Sequence, residues 1–509
     1  LAFLSEITVN TSHKYPCSAS AMLYFSDLKE ACKAVVAMKK GPVFGAELLD
    51  KKSLSAVNDP TGVGLTAVLT ETKADTPEEL QKNINEILEI LKPFDLFKPA
   101  YFTDKPEEYS AYWKLRSGIF PTVGGTRQLG TTVLIEDVAF HIEDLPDATV
   151  ELQALLQENG YDDACIYGHA LEGNYHFIIS QAFDSQKEID RYKNLMLAVE
   201  KLVVDKYDGS LKAEHGTGRN MAPFVAKEWG EKAWTMMKRV KELFDPQNIL
   251  NPGVIFNDDP ECYIKELKPM PLTNRHVNKC IECGFCEVNC VSCGYSMSAR
   301  QRVVVQREIA RLRTSGEDPH RLNRLVSQFK ELGDNTCAGD GLCSTSCPMG
   351  INTGEMIHDL RQENLPPTGL GYKVGDFAAK KLSLITGILR PVLTVADVAG
   401  GVLGDKAVNA IGGALHKVGI PLWTSTLPGA FYSPKEEPAK ADKKVVYFPS
   451  CINQTMGVSR EKGKKIAPLV DTIIKLCNKA GYEVIFPEGM KNLCCGMIWE
   501  SKGMPDIAD

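Results

Sequence analysis

The chain has 509 residues, is 44% hydrophobic and 24% charged, and carries a net charge of −7 and sixteen cysteines. That length supports roughly three to five domains, and the composition is ordinary for soluble globular protein. The acidic balance excludes a molecule built to wrap nucleic acid. Eight of the cysteines crowd into residues 280–347. In so long a chain this excludes a small secreted disulfide scaffold and points to metal ligands in a reducing compartment, the cytoplasm or the inner face of its membrane.

Residues 1–14 read as the last strand of a larger domain. The text opens in mid-pattern at Leu1, with no methionine, so a fragment is expected and the lack of a signal peptide carries no weight. Residues 15–258 mix strands and amphipathic helices. Leu28, Ala31, Cys32, Val35 and Val36 recur at helical spacing after Asp27, predicting a helix over 27–38. Thr76-Pro77-Glu78-Glu79 caps a second over 76–91. Residues 164–180 predict two strands around a tight turn at Glu172-Gly173-Asn174.

Residues 259–275 are Pro-rich and polar, hence a linker, and 276–362 hold the cysteine clusters. Residues 300–313 alternate basic residues with Val303, Val304, Ile309 and Leu312, which predicts a surface helix with a solvated basic face. Within 363–442, the stretch 366–428 is rich in Ala, Gly, Val and Leu. Arg390-Pro391 and Asp397 interrupt its most apolar part, so packed helices are expected rather than a span, with interfacial attachment to a membrane as the second reading. Residues 434–444 form a charged linker, and a new α/β unit at 443–509 begins with the strand Val445-Val446-Tyr447-Phe448.

Cys280, Cys283, Cys286 and Cys290 follow C-x2-C-x2-C-x3-C. Three thiolates at that spacing wrap one cubane cluster from a single loop, and the fourth ligates its neighbour. The partner run is Cys337, Cys343 and Cys347 before Pro348, with Asp340 at the second ligand position. The crossed pattern assigns Cys280, Cys283, Cys286 and Cys347 to one cluster and Cys290, Cys337 and Cys343 to the other. The fourth corner of the second is open to three readings: Asp340 through oxygen, Cys293, or a [3Fe-4S] cluster, with Asp340 favoured by its position in the loop. C-x2-C also suits zinc, but the x3-C-P tail and the crossed pairing favour two iron–sulfur clusters. Val291 stands where such runs carry proline. Cys451, with Cys494-Cys495-Gly496 downstream, forms a further thiol group able to hold a third iron–sulfur centre.

His169 and His176 flank the turn of the predicted hairpin, and Glu214-His215-Gly216 supplies an acid and another imidazole on a Gly-rich turn. Two His and one Glu make an open three-ligand site for a divalent metal such as Zn or Mn, with room for a substrate oxygen. His215 is then free to act as a base.

On these residues the chain resembles the FAD-linked D-2-hydroxy-acid dehydrogenases of the vanillyl-alcohol-oxidase flavoprotein type, in the long form fused to iron–sulfur modules. That group includes D-lactate and D-2-hydroxyglutarate dehydrogenases. Residues 1–11 resemble the end of the FAD-binding domain. Trp113-Lys114-Leu115-Arg116 and Glu136-Asp137-Val138-Ala139 resemble cap-domain motifs, and residues 169–176 resemble the family's His-x-Gly-Asp-Gly-Asn-x-His. Glu214-His215-Gly216 matches its Glu-His-Gly, and Phe244-Asp245-Pro246 through Asn251-Pro252-Gly253 its closing signature. The tail from Cys451 to Gly496 resembles the first half of the CCG module of heterodisulfide reductases. The departures are Ala170-Leu171-Glu172 inside the hairpin motif, the missing bulk of the FAD-binding domain with its phosphate-cradling loop, and the missing second half of the CCG module.

The resemblance implies a multidomain α+β protein: an FAD-linked oxidase C-terminal (cap) domain, an α-helical ferredoxin-type domain and a partial α/β CCG module. It implies that Arg116 holds the substrate carboxylate. His169, His176 and Glu214 would bind the metal, His215 would take the hydroxyl proton, and Asn251, Asn174 and Glu136 would lie toward FAD. The expected activity is oxidation of a D-2-hydroxy acid, D-lactate first, with electrons leaving through the clusters to a quinone or cytochrome. D-2-hydroxyglutarate would need a second cation near Arg116, for which Arg127 and Lys114 are near in sequence. Glycolate, or a non-catalytic electron-transfer subunit, are the other readings; a mere carrier has no need for the histidines. Peripheral membrane association completes the expectations.

Overall fold

The computed structural model describes residues 3–59, 61–417, 422–424, 426–458, 466–490 and 493–509. The chain forms two compact units, residues 1–356 and 357–509.

The first unit is built on a six-stranded antiparallel sheet of order β1-β3-β2-β5-β6-β4. Its strands are β1 (Cys17–Phe25), β2 (Gly45–Leu49), β3 (Thr66–Ala74), β4 (Thr132–Ala139), β5 (Cys165–His169) and β6 (Asn174–Gln181). One face is buried under α1 (Leu28–Met38), α3 (Pro77–Leu91), α6 (Leu145–Glu158) and α7 (Gln186–Glu200), with Val35, Leu152, Tyr175, Phe177 and Leu195 in the core. The other is covered in part by α2 (Lys51–Ala56), α4 (Pro106–Ser117) and α5 (Ile119–Thr126), over Leu49, Leu69, Tyr167 and Ile178.

Local chemistry explains the boundaries. Asp27 accepts from the N–H of Glu30 at 2.9 Å and Thr76 from that of Glu79 at 3.2 Å, each satisfying a free helix-end donor. The predicted hairpin forms as β5 and β6. Its turn needs Gly173, whose φ is 71° and where a Cβ would lie 2.2 Å from the Phe140 carbonyl oxygen. Residues 3–14, expected as a strand, lie outside the sheet and mostly exposed; Leu1 and Ala2 lie outside the described residues. The expected linker is anchored at its start, where Tyr263 is buried in the main core with its ring 5.2 Å from that of Phe224.

After α8 (Val225–Phe244), the cysteine loops are held by α9 (Ala299–Ser315) and α10 (Pro319–Phe329). Ser298 and Gln301 form a reciprocal cap at the start of α9. The expectation of a solvated basic face on α9 is corrected. Arg302 and Arg307 are 1% and 2% exposed and point into the cysteine loops, because those loops offer carbonyls, hydroxyls and a thiol as acceptors.

In the second unit, helices Leu370–Lys380, Leu382–Leu403 and Asp405–His416 precede a parallel pair, β7 (Lys443–Val446) and β8 (Tyr482–Ile485). Helix Leu469–Lys479 connects the pair and buries Val470 and Ile474 beside Val484. Arg390-Pro391 does not break the second helix. The Arg390 guanidinium instead donates to the carbonyls of Phe431 at 3.0 Å and Gln454 at 2.9 Å. Nor are the three helices packed into a core: their only buried residues are Leu393 and Gly412. Leu382–Leu403 is long and apolar enough to cross a membrane by length and composition.

Candidate active site and cysteine loops

Sheet register gathers the first site. Glu47 on β2 lies opposite His169 on β5, Tyr167 opposite His176 on β6, and Asp137 on β4 opposite His176. Paired residues share a face, so these side chains meet on the face that carries α4. Arg116 reaches them from the last turn of α4, and Glu214 and His215 from the loop beyond the sheet.

Three donor groups converge here, with carboxylates behind them. Glu214 Oε1 lies 3.2 Å from Nε2 of both His169 and His176. The other nitrogen of each ring faces a carboxylate: His169 Nδ1 donates to Glu47 Oε1 at 2.5 Å, and His176 Nδ1 lies 3.5 Å from Asp137 Oδ1. A metal-bound imidazole takes this arrangement, with the distal N–H fixed by a carboxylate and the lone pair turned to the ion. His169 has that bond, whereas His176 Nδ1 makes no hydrogen bond and only faces Asp137. The Nε2 of each ring and a Glu214 oxygen face one spot, which fits a cation. The ligand atoms of His169, His176 and Glu214 all lie within 4.8 Å of one another.

The electrostatics follow from these contacts. Burial opposes ionisation of Glu47, yet the His169 hydrogen bond and the Arg116 charge hold its carboxyl below the usual range. Burial likewise opposes ionisation of Asp137. His176, the backbone N–H groups of Glu214 (2.7 Å) and His215 (2.8 Å), and Asn174 Nδ2 (2.5 Å) outweigh it and hold Asp137 well below that range. The hydrogen bond to Glu47 raises His169, whereas burial lowers His215. The His215 ring stacks on His176 at 4.7 Å and 7°.

Arg116 donates from Nε to Glu47 Oε2 at 2.9 Å and lies 5.2 Å from the centre of the Tyr167 ring. Among the described residues its two Nη groups have no hydrogen-bond partner, so the outer edge of the fork is open to a carboxylate. The structure thus brings together Arg116, His169, His176, Glu214 and His215, with Asn174 joined through Asp137; the Oδ1 of Asn174 is buried without a partner. Glu136 falls on the opposite face, paired with Lys212 Nζ at 2.6 Å and Asn220 Nδ2 at 3.0 Å. Asn251 is exposed on a turn after α8, with φ of 45° and no hydrogen bond to the His–Glu group. Arg127 is buried and bonded to carbonyls of the cysteine loop, and Lys114 is exposed. Two supports escaped sequence reasoning. Glu47 is a lone acid in the otherwise apolar strand Gly45–Leu49, a signal in itself. Asp137 sits beside Glu136 in a motif where the two-residue period selects the odd position.

In the cysteine loops, Cys290, Cys337, Cys343 and Asp340 line one small cavity; Cys293 does not line it. Backbone N–H groups donate to thiols, Glu282 to Cys280 Sγ and Thr353 to Cys343 Sγ, both at 3.3 Å. Burial raises Cys280, and raises Cys286 to about 12, where neighbouring Cys280, Cys343 and Cys347 add to it. Burial opposes ionisation of Cys290 too, but Ser292 and Arg302 lower it. Cys283 is exposed. In the second unit Cys494 Sγ lies 3.7 Å from Cys451 Sγ, with Cys495 next in the chain; burial, then Cys494, raises Cys451.

Residues 16–255 match the family described as FAD linked oxidases, C-terminal domain. The chain is 23% identical over 266 residues to the glycolate oxidase subunit GlcD of Bacillus subtilis, covering 51% of this chain and 55% of that protein. It is 27% identical over 265 residues to the mitochondrial cytochrome-type D-lactate dehydrogenase of Arabidopsis thaliana, covering 50% and 45%. Over 148 residues it is 32% identical to the D-2-hydroxyglutarate dehydrogenase of Stutzerimonas stutzeri, covering 28% and 30%. The chain thus spans about half or less of the length of these relatives.

Proposed function

We propose that this chain belongs to an enzyme that oxidises a D-2-hydroxy acid, with D-lactate as the first candidate, and sends the electrons out through iron–sulfur clusters to a quinone or cytochrome. The observation that carries the reading is the convergence of Arg116, His169, His176, Glu214 and His215 on one sheet face, in a segment matching the FAD-linked oxidases. When bound, a divalent ion supplies Lewis-acid polarisation of a hydroxyl, FAD a hydride acceptor, and the clusters a one-electron outlet.

The residues fit these groups. The ion matches the three converging donors, and the buried Asn174 Oδ1 without a partner is what this face offers a cofactor. Cys280, Cys283, Cys286 and Cys347 would hold one cluster, and Cys290, Cys337, Cys343 and Asp340 the other; the shared cavity favours Asp340 over Cys293. Cys451, Cys494 and Cys495 would hold a further centre.

The chain's own part in the chemistry is positioning and proton transfer. Arg116, held by Glu47 through Nε, presents its free edge to the substrate carboxylate. That places the 2-hydroxyl toward the Glu214 side, where His215 Nε2 lies 3.8 Å from Glu214 Oε1 and accepts the hydroxyl proton. Glu47 holds the His169 imidazole in the tautomer that this requires, and Asp137 faces the His176 ring with its charge.

The second unit suits a place on the inner face of the cytoplasmic membrane. Leu384, Ile388, Val392, Val395 and Val402 form an exposed stripe on helix Leu382–Leu403, and Val374 and Phe377 are exposed on the preceding helix. Residues 370–417 carry Lys373, Lys380, Lys381, Arg390, Lys406 and Lys417 against Asp376, Asp397 and Asp405, a positive excess in an acidic chain.

The test is a panel of D- and L-2-hydroxy acids given to the full-length, FAD-loaded protein with a dye acceptor. Flavin bleaching by D-lactate alone supports the reading, and D-2-hydroxyglutarate or glycolate as the better substrate would replace lactate. Bleaching by no D-acid would overturn it.

A further inference from the structure

Helix α9 sends two guanidiniums into the cysteine loops, and only one is neutralised there. Arg307 donates from Nη1 to Glu282 Oε1 at 2.5 Å and from Nη2 to the Cys280 carbonyl at 2.9 Å. Arg302 has no such counter-ion. Its Nε donates to the Gly333 carbonyl at 2.7 Å, and its Nη2 to Ser292 Oγ at 2.8 Å and Thr336 Oγ1 at 3.2 Å. Its Nη1 points at Cys290 Sγ, 3.5 Å away.

A second buried cation comes from the other direction. Arg127 ends α5 and is 6% exposed. Every hydrogen bond it makes goes to a carbonyl: Thr131 at 2.8 Å and Gly124 on its own side, and Asn278 at 3.4 Å, Lys279 at 2.9 Å and Cys280 at 3.0 Å on the cysteine loop. The approach is close, since a Cβ on Gly124 would lie 2.8 Å from the Ile281 side chain. Among the described residues, neither Arg302 nor Arg127 has a carboxylate within salt-bridge distance.

A buried cation without a counter-charge is strongly disfavoured. Carbonyls and hydroxyls solvate these two guanidiniums; the one acid that acts on Arg127, Glu282, does so from beyond salt-bridge distance and is already shared by Arg307 and Lys268. Both face thiolate loops, one at Cys290 and one at Cys280, and those two cysteines fall in different clusters of the crossed assignment. An iron–sulfur cluster held by thiolates is anionic and supplies the charge each site lacks.

We propose that Arg302 and Arg127 are the fixed counter-charges of the two iron–sulfur clusters, one each, and hold their reduction potentials up; this rests on the iron–sulfur reading above. Reduction adds an electron to an already negative group. A permanent positive charge in a poorly screened interior favours the reduced form, and hydrogen bonds to cluster sulfurs act in the same sense. Arg302 donates to a ligand sulfur itself, whereas Arg127 acts through a carbonyl, so Arg302 has the larger effect. Both are positioning residues that touch neither substrate nor flavin. Because Arg127 belongs to the substrate-binding half, it also ties the first cluster's loop to the domain that generates the electrons.

The test is an EPR-monitored redox titration of the purified protein and its variants, with iron and sulfide content measured on the same samples. Arg302→Gln is expected to keep its iron and to lower the midpoint of one cluster only. The expected shift is roughly tenfold in the reduced-to-oxidised ratio at a fixed potential, about 59 mV for one electron. Arg127→Gln is expected to lower the midpoint of the other cluster, by less. Unchanged midpoints at full iron content would overturn the proposal. If glutamine at 302 empties the site, Arg302→Lys, which keeps the charge, is expected to refill it, and its failure to do so counts equally against the proposal. A parent protein holding zinc and no iron would instead remove the iron–sulfur reading, and this inference with it.

Discussion

Glu47 holds Arg116 and His169 with one buried carboxylate: Oε2 accepts from Arg116 Nε at 2.9 Å and Oε1 from His169 Nδ1 at 2.5 Å. The group that would grip the substrate and a ligand of the ion therefore share a single support. Glu47→Gln is expected to weaken both functions. Zinc or manganese affinity, read by calorimetry, should fall about 10–100-fold, the usual cost of losing such a support, and the KM for the hydroxy acid should rise in parallel. Loss of one without the other would separate the two roles.

His215 and Arg116 are expected to fail differently. His215→Ala should lower kcat steeply, on the order of 100-fold or more, with cluster absorbance intact. Arg116→Ala should chiefly raise KM. Unchanged turnover in the first would remove His215 from proton transfer, and a parental KM in the second would place the carboxylate elsewhere.

Asp340 lines the same cavity as Cys290, Cys337 and Cys343. Asp340→Ala is expected to leave that site with three ligands and to yield a three-iron EPR signal in material isolated in air. Asp340→Cys should hold four irons. An Asp340→Ala protein that keeps a full four-iron cluster would hand the fourth corner to another ligand.

Asp50 is buried, and burial lifts its pKa from 3.8 to about 6, although the Ser53 N–H, which it caps at 2.8 Å, pulls the other way. Its Oδ2 has no partner. A native pKa above the unfolded one means that the folded state binds more protons between those values. Stability is therefore expected to fall as pH rises from about 4 to 6, by about 3 kcal/mol for this one group. Asp50→Asn keeps a helix-capping oxygen and should flatten that part of the curve. Denaturant midpoints across the window will show it, and a variant with the parent's slope would assign the dependence to other groups.

The apolar stripe at residues 384–402 is expected to bind vesicles containing anionic lipid, more weakly as salt rises and hardly at all for zwitterionic lipid. Ile388→Asp with Val395→Asp should abolish co-sedimentation without moving the thermal midpoint, because both side chains are exposed. Equal binding to neutral vesicles would argue against the electrostatic share.

Much of this was legible along the chain because the signals are local. Asp27 and Thr76 cap the helices they announce, and Gly173 turns the hairpin that brings His169 and His176 together. Glu47 was not legible because its role comes from register, a pairing with a residue 122 positions away. Glu136 and Asp137 show the same limit at close range: adjacent acids on a strand face opposite ways, and only the neighbouring strand decides which one meets the histidines. Arg302 and Arg307 read as solvated because alternating basic and apolar residues suit a surface helix equally well. Their burial follows from acceptors on loops that the helix does not itself contain.

Asp137 binds the backbone N–H groups of both Glu214 and His215 while standing behind His176. On the proposed reading, the loop bearing the proton acceptor and the strand bearing an ion ligand are thus moored to one post. Capturing the ion and aiming the base would then be a single mechanical event, so an enzyme stripped of its metal would lose its grip on the proton as well as on the oxygen.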